Sequence, residues 1–150
     1  MADTRVQLRV EDWVRKHWFP QHFGQPFHRE RLELSSGGVF DFDAVSADNT
    51  IAATISTSAS TTSSGKTAVG KLMKLRSDMF FLLLANAERR LVVLTEPDML
   101  QLCEKEKSGG RVPKNIEFHL AELPPELAAQ LAAARAVASR EVQPRGLHSK

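Results

Sequence analysis

The spacing of apolar residues predicts a helix followed by three strands in the first part of the chain. Between residues 10 and 19 apolar side chains recur every three or four positions, which is typical of an amphipathic helix whose buried side would hold Val10, Trp13, Val14 and Trp18. Pro20 is expected to end this helix or to lie just past its end. The pattern then changes to alternation, which indicates strands with one buried face, over residues 31–36, 39–45 and 50–57. Gly37-Gly38 predicts a two-residue hairpin, and Ala47-Asp48-Asn49 predicts a second turn. We therefore expect an antiparallel meander.

The rest of the chain predicts helices that alternate with single strands. A helix is expected over residues 66–85, and its core-facing stripe would be Val69, Leu72, Met73, Arg76, Phe80 and Leu83. Residues 79–84 are apolar all round, so a short buried strand is the alternative there. Residues 90–95, RLVVLT, have the composition of a strand covered on both faces. A helix over 97–107, a strand over 115–121 and an alanine-rich helix over 126–140 follow.

These elements predict an α/β fold in which a mixed central β-sheet is flanked by helices, in the order αβββαβαβ. With 150 residues and 42% hydrophobic content, we expect one domain over residues 1–125, then a peripheral helix and tail over 126–150. Cys103 is the only cysteine, so no internal disulfide forms. The longest apolar run, 79–85, is too short to cross a membrane, so we expect no membrane insertion and a cytoplasmic location.

Charge is unevenly distributed along the chain. The formal net charge is only +2, which is compatible with a nucleic-acid partner without requiring one. No lysine or arginine lies between Arg31 and Lys66, whereas that interval holds four acids: Glu33, Asp41, Asp43 and Asp48. A basic segment follows directly, with Lys66, Lys71, Lys74 and Arg76. Anion binding beside carboxylates is one interpretation; the other is a solvated helix face on which Lys74 pairs with Asp78.

Two aspartates stand out in the second predicted strand. Asp41 and Asp43 are two residues apart, so they share one face of an extended strand, while Phe40 and Phe42 share the other. On the next strand Ile51, Ala53 and Ile55 share the apolar face. Thr54, Ser56 and Ser58 lie on the opposite face, so polar groups can line up across neighbouring strands. A solvated outer strand face is the simpler account of this pattern, and a metal site is the functional one.

The segment Ser64-Gly65-Lys66-Thr67 resembles the end of a phosphate-binding loop. Ser60 stands where G-x-x-x-x-G-K-[ST] requires its first glycine, and the preceding strand belongs to a meander, so a nucleotide triphosphatase is not expected. A helix that begins here, capped by Ser63 or Ser64, would still bind a phosphate through its free amides and Lys66.

The predicted order of elements and an aspartate on the second strand of the meander resemble the PD-(D/E)XK restriction-endonuclease-like superfamily. The resemblance covers roughly residues 10–95. Asp43 matches the aspartate of that superfamily, whereas Thr54-Ile55-Ser56 stands where the (D/E)-x-K tripeptide belongs. The acid and the lysine of the tripeptide are therefore both missing.

The resemblance implies a Mg²⁺-dependent phosphodiesterase that acts on DNA or RNA. Asp43 and Asp41 would hold the metal, Lys66 or Lys74 would contact the scissile phosphate or the nucleophile, and Ser56 would orient water. Further contacts to the nucleic-acid backbone are expected from Lys71, Arg76, Ser58 and Ser64.

Two other functions remain open. The same fold with its catalytic site lost could serve protein binding or assembly, and it would need no cofactor. Alternatively, the alanine-rich helix after Pro125 could pair with a copy of itself, which would make the protein a homo-oligomeric adaptor.

Overall fold

The chain begins with a long helical segment that packs on one face of a sheet. The computed structural model describes residues 4–61 and 64–142, with side chains up to residue 138. Helix α1 (Arg5–Trp13) continues through a π-helical segment, Val14–Trp18, into helix α2 (Phe19–Phe23). The predicted buried side is confirmed at Val10, Val14 and Trp18, which are all at most 5% exposed, whereas Trp13 is only partly buried.

Pro20 does not end this helical segment, so that prediction is wrong. The helix continues to Phe23 and stops at Gly24, which has a left-handed conformation with φ of 72°. Proline removes a backbone donor and crowds the preceding turn. The wider π-helical segment directly before it, together with the position of Pro20 in the first turn of α2, accommodates both effects.

Five strands form one mixed sheet in the order β1-β2-β3-β4-β5, which confirms the predicted α/β class. They are β1 (Phe27–Glu33), β2 (Val39–Ser46), β3 (Ile51–Ser56), β4 (Arg89–Leu94) and β5 (Ile116–Leu120). The first three are antiparallel, as the meander prediction requires, and β3, β4 and β5 are parallel. The intervening helices are α3 (Val69–Leu84) and α4 (Pro97–Ser108), and α5 (Pro125–Val142) follows the last strand.

The first strand and its turn differ from the sequence prediction. Strand β1 starts at Phe27 and ends at Glu33, whereas the prediction started four residues later and ended at residue 36. Residues 34–38 connect it to β2, so the turn is longer than two residues. Leu34 closes this turn, because its N–H donates to Gly38 O and its own carbonyl accepts from Gly37 N. Gly37 supports the turn with φ of 99°, a value that favours glycine.

The core has two layers, one on each face of the sheet. Helices α3 and α4 cover one face and contact Phe42, Val45 and Val92, among others. Helix α1, the π-helical segment, α2 and α5 cover the other face, where Ile51, Ala53 and Ile55 lie as predicted. Strand β4 is buried on both faces, since its last four residues, Leu91, Val92, Val93 and Leu94, are all 0% exposed. The interpretation of RLVVLT as a strand covered on both faces is confirmed.

Helix α3 turns a different face to the core from the one predicted. Its buried residues are Leu72, Leu75, Asp78, Met79 and Leu82. Four members of the predicted stripe are exposed instead: Val69 58%, Met73 48%, Phe80 57% and Leu83 38%. The helix carries two overlapping apolar stripes, so its periodicity alone cannot select one. The stripe that includes Leu75 packs against the sheet.

Helix α5 packs on α1 and contributes to the core. Leu131 is 2% exposed within the core layer on the α1 side. Arg9 Nη2 donates to Gln130 Oε1 at 2.9 Å, and Arg135 Nη2 donates to Thr57 O at 2.7 Å. The predicted tail from residue 143 onward lies outside the described residues. In residues 4–61 and 64–142, no helix combines the length and the apolar character needed to cross a bilayer.

Candidate functional site

A β-bulge in strand β2 sets the position of Asp43. His28 pairs with Val45 and Glu30 pairs with Phe42, so Arg29 on β1 lies opposite two residues of β2, Asp43 and Ala44. The extra residue lets Phe42 and Val45 both pack on the α3 side, while Ala44 packs on the α1 side. Bulges redirect side chains and interrupt regular pairing, and they are common next to functional sites.

Strands β2 and β3 separate just beyond this bulge, and the carboxylate of Asp43 makes the hydrogen bond that links them there. Their paired residues are Ala44 with Ala53 and Val45 with Ala52. Further along β3, Ile55 N donates to Asp43 Oδ2 at 2.8 Å, so a side chain replaces a ladder partner. The backbone carbonyl of Asp43 accepts from Arg15 Nε at 2.6 Å. Asp43 is therefore held through both its backbone and its carboxylate, while Oδ1 has no hydrogen-bond partner among the described residues.

An open cleft of about 690 Å³ lies where the two strands part. Helix α1, strand β2, the end of β3 with the residues after it, and the first turns of α3 form its walls. Its polar side chains come from these four segments and are Glu11, Asp43, Ser56, Thr57, Ser58, Lys71, Lys74 and Asp78. Carboxylates, hydroxyls and amines that are distant in sequence therefore meet in one concave surface.

The carboxylates of the cleft are electrostatically coupled. Burial raises the pKa of Glu11, and the negative charge of Asp43 raises it further. Burial also raises the pKa of Asp78, against the hydrogen bond from Lys74, and Asp43 again adds to the increase. Partial desolvation and the nearby charge of Asp43 therefore disfavour the ionised forms of Glu11 and Asp78. A cation bound between Glu11 and Asp43 would relieve this repulsion.

Replacing Glu11 by glutamine is expected to raise the melting temperature at pH 7. The folded-state pKa of Glu11 lies above its ordinary value of 4.5, so protonation favours the folded state. This stabilisation is complete below the unfolded-state pKa and is lost as the pH rises through the folded-state pKa. The ionised glutamate thus destabilises the fold at neutral pH, and glutamine removes the charge. Thermal unfolding followed by circular dichroism at pH 7 and at about pH 4 measures the effect.

The gain should shrink at the lower pH, where Glu11 is itself protonated. Glu33→Gln is the matched control, because Glu33 is exposed on β1 and does not line the cleft. A gain of the same size at both pH values, or an equal gain in the control, would contradict the electrostatic explanation.

Helix α3 contributes two lysines to the cleft, of which Lys74 is paired with an acid and Lys71 is not. Lys74 Nζ donates to both carboxylate oxygens of Asp78, at 2.9 and 3.1 Å, which confirms the ion pair anticipated from their spacing. The Asp78 side chain is only 10% exposed, whereas that of Lys74 is 72% exposed. The Lys71 side chain is exposed and forms no hydrogen bond or ion pair with any described residue. Lys71 is therefore the cation of the cleft that is available to an anionic ligand.

Two of the predicted site residues lie outside the cleft because they have other partners. Asp41 pairs with Arg31 across β1 and β2, with 2.9 Å between Arg31 Nε and Asp41 Oδ1, and this hydrogen bond lowers the pKa of Asp41. Arg76 forms an ion pair with Glu106 of α4. Neither side chain lines the cleft.

Lys66 and Ser64 also lie outside the cleft lining, and the predicted start of α3 is wrong. The helix begins at Val69 with Ala68 at its N-cap, and no side chain caps it. A Thr61–Thr67 bridge and a bond from Ala68 N to Ser60 O fold the preceding residues into a closed loop. Lys66 is thus an exposed loop residue, and Ser63, the other predicted cap, lies outside the described residues.

The tripeptide Thr54-Ile55-Ser56 does not supply two polar side chains to the cleft; Ser56 and Ser58 do so in place of Thr54 and Ser56. Thr54 is 2% exposed and does not line the cleft, and its Oγ1 has no hydrogen-bond partner in the described structure. Ser56 and Ser58 line the cleft instead, and Ser58 N donates to Ser56 Oγ at 3.3 Å. Both serines were predicted site residues, and the structure brings them together with Asp43, Lys71 and Lys74.

Sequence reasoning missed Glu11 and Arg15, the two residues of the first helical segment that support the site. That segment was interpreted only as an amphipathic packing element. A weak signal was present, because Glu11 and Arg15 are four residues apart and directly follow the buried positions Val10 and Val14. Charged groups at the edge of a buried stripe can reach the adjoining end of the sheet.

Glu11 and Asp43 both present carboxylates to the cleft. Both offer carboxylate oxygens, the ligands that Mg²⁺ prefers, and Mg²⁺ commonly binds through one or two carboxylates while it keeps several waters. Asp41 does not contribute, because Arg31 occupies its carboxylate. No group of three or more His, Cys, Asp or Glu side chains suited to a metal ion occurs among residues 4–61 and 64–142. Comparison with protein-family models, curated proteins and solved structures found no match.

Proposed function

We propose that the protein binds DNA or RNA and hydrolyses a phosphodiester bond in the cleft, with Mg²⁺ held by Asp43 and Glu11. The observation that carries this proposal is the convergence of these two coupled carboxylates with Lys71 and Lys74 in one cleft. Paired carboxylates beside an available ammonium group are the groups that phosphodiester hydrolysis requires.

The residues around Asp43 prepare its carboxylate for this role. Ile55 N donates to Asp43 Oδ2 and Arg15 donates to the backbone carbonyl of Asp43, so the carboxylate has little freedom to reorient and its Oδ1 is available to a ligand. When bound, Mg²⁺ would polarise a phosphoryl oxygen and lower the pKa of a coordinated water. Holding the carboxylates in place beforehand reduces the reorganisation that this chemistry would otherwise require.

The opposite wall of the cleft would bind the phosphate. Lys71, which has no protein partner among the described residues, would contact a non-bridging oxygen, since ammonium groups bind phosphates as point charges. Asp78 orients the exposed Lys74 through two hydrogen bonds and keeps it beside the cleft. The hydroxyl groups of Ser56 and Ser58 would orient water or a second phosphate oxygen.

The element order supports a restriction-endonuclease-like fold. A helix, three antiparallel strands, helix α3 and the parallel strand β4 follow one another, and Asp43 lies on the second strand. In this interpretation Glu11 takes over the role of the tripeptide's acid, and Lys71 or Lys74 takes over that of its lysine. This differs from the expectation based on the sequence, in which Asp41 was the second metal ligand.

A second candidate function is a module of the same fold that binds without cleavage. Strand β3 supplies hydroxyl groups where a third carboxylate or a lysine would complete a catalytic set. Asp78 cannot readily replace that carboxylate, because Lys74 occupies both of its oxygens. Metal binding and cleavage must therefore be measured separately.

Titration with Mn²⁺, followed by electron paramagnetic resonance, tests the metal site. Wild-type protein should bind one Mn²⁺, and Glu11→Gln should weaken binding by at least about tenfold, because a ligand matters at least as much as its supporting residues. Glu33→Gln should bind like wild type. Equal affinity in wild type and Glu11→Gln would contradict the metal site, whereas Mn²⁺ binding without cleavage of any oligonucleotide would favour the second candidate function.

A further inference from the structure

A second groove, of about 370 Å³, adjoins the cleft at Glu11. We call it the arginine groove, and its lining residues are Leu8, Arg9, Glu11, Asp12, Arg15 and Arg29. Because Glu11 lines both concavities, this side chain is their common wall. A ligand extended through the cleft would pass directly into the arginine groove.

Arg29 differs from the other charged residues of the arginine groove. Asp12 is bound by Arg15 at 3.5 Å and by Lys16 at 3.0 Å. Arg15 also donates a hydrogen bond to the Asp43 carbonyl, and the Arg15 side chain is only 14% exposed. The side chain of Arg29, by contrast, is exposed and forms no hydrogen bond or ion pair with any described residue. Its guanidinium group is thus free to bind a ligand from solvent.

Arg29 and Lys74 lie on opposite sides of the coupled carboxylates. Arg29 is on β1, opposite the bulge that contains Asp43, and Lys74 is on α3 at the other wall of the cleft. Glu11 lines the cleft together with Lys74 and lines the arginine groove together with Arg29. Arg29, the carboxylates of Glu11 and Asp43, and Lys74 could therefore bind three successive phosphates of a nucleic acid. The two cations would contact the outer phosphates, and a metal held by the carboxylates would contact the central one.

We infer that the arginine groove is a second phosphate subsite, in which Arg29 binds the sugar-phosphate backbone next to the phosphodiester held in the cleft. The inference rests on the proposed function, because it extends the same nucleic acid beyond Glu11. A guanidinium group donates two parallel hydrogen bonds to a phosphate, and this geometry favours arginine over lysine at such a site. Leu8, which is 58% exposed at the same groove, offers apolar surface to the adjoining sugar.

Fluorescence anisotropy with labelled single-stranded DNA and RNA oligonucleotides of equal sequence, over a range of salt concentrations, tests the subsite. Arg29→Gln should weaken binding about tenfold, which corresponds to the loss of one charge-assisted contact. It should also reduce the dependence of log affinity on log salt by about 0.7, the value for one phosphate contact on a single strand. DNA and RNA should be affected alike, because the contact is to the backbone.

Arg31→Gln is the matched control for Arg29→Gln. Lys71→Gln measures, in the same assay, how much the cleft contributes to nucleic-acid affinity. Arg31 is two residues along the same strand, but it pairs with Asp41 and lies outside both concavities, so its loss should change affinity less than about twofold. Mn²⁺ binding by Arg29→Gln should not be weaker than in wild type, since the change removes a nearby positive charge.

Four outcomes would overturn the subsite, and they differ in what else they affect. Unchanged binding by Arg29→Gln with weakened binding by Lys71→Gln would remove the subsite and leave the proposed function intact. An effect on RNA alone would exclude a simple backbone contact. Loss of Mn²⁺ binding in Arg29→Gln would assign Arg29 to the structure of the metal site. Failure of the wild type to bind either nucleic acid at low salt would remove the proposed function together with the subsite.

Discussion

Replacing Asp43 by alanine is expected to reduce Mg²⁺-dependent cleavage of an oligonucleotide by about 10³-fold or more. A metal ion contributes several kcal/mol to the stabilisation of charge in such a transition state, and each 1.4 kcal/mol corresponds to about a factor of ten. Asp43 is a proposed ligand in the cleft, and its carboxylate also accepts the hydrogen bond from Ile55 N. Single-turnover cleavage in Mg²⁺ and in Mn²⁺ measures the loss.

Asp43→Asn separates the chemical role from the structural one. An asparagine oxygen still accepts the hydrogen bond from Ile55 N, so we expect the free energy of unfolding to stay close to that of wild type. The charge that holds the metal is lost, so cleavage should fall nearly as far as with alanine. If Asp43→Asn kept more than about a tenth of the wild-type rate, the assignment of Asp43 as a metal ligand would be wrong.

Asp41→Ala provides the control within the same strand. Both aspartates were predicted metal ligands, but only Asp43 lines the cleft, while Asp41 pairs with Arg31 at the surface. An exposed ion pair contributes about 1 kcal/mol or less to stability, so Asp41→Ala should leave both folding and cleavage almost unchanged. Equal loss of activity in the two alanine variants would contradict the site described above.

Replacing Leu82 by alanine is expected to lower the free energy of unfolding by about 2–5 kcal/mol, whereas Leu83→Ala should lower it by less than about 1 kcal/mol. Leu82 is 0% exposed in the core layer between α3 and the sheet, and Leu83 is 38% exposed. The chemical change and the helix propensity change are the same at both positions, so the difference reports burial alone.

Urea denaturation of the two variants gives these free energies directly. The comparison is sharp because the sequence periodicity had placed Leu83 on the core-facing stripe and had left Leu82 out. If Leu83→Ala were the more damaging change, the orientation of α3 in the structure would be wrong, and so would the side of the helix that presents Lys71 and Lys74 to the cleft.

Most of the sheet could be predicted from the sequence because strand signals are local. Alternation marked the three antiparallel strands, and the continuous run RLVVLT marked β4 as buried on both faces. Helix α3 was harder, since residues 79–84 are apolar on every side and the sheet decides which stripe is covered. Pro20 was misjudged because a π-helical segment can accommodate a proline that an ordinary helix cannot.

The candidate site could be predicted only in part, because half of it depends on tertiary structure. Asp43, Ser56 and Ser58 were found from their alternation with apolar residues, and Lys74 was found from its position in the basic segment. Glu11 comes from a helix that is distant in sequence, and no local pattern connects it to β2. Lys66 was wrongly placed at a helix start because Ser60 N donates to Asp98 Oδ2, a contact distant in sequence, and Ala68 N donates to Ser60 O just before the helix.

The bulge in β2 means that the site depends on the number of residues in the strand as well as on their identity. Phe42 and Val45 face the same core layer only because two residues, Asp43 and Ala44, lie between them where regular alternation has one. Asp43 is therefore not paired in the β1–β2 ladder. A strand shortened by Ala44 would keep Phe40, Phe42 and Val45 in regular alternation, so the core pattern would survive without the outward displacement of Asp43. A change in the length of β2 at this position would therefore remove the proposed site while the alternation that builds the core is retained.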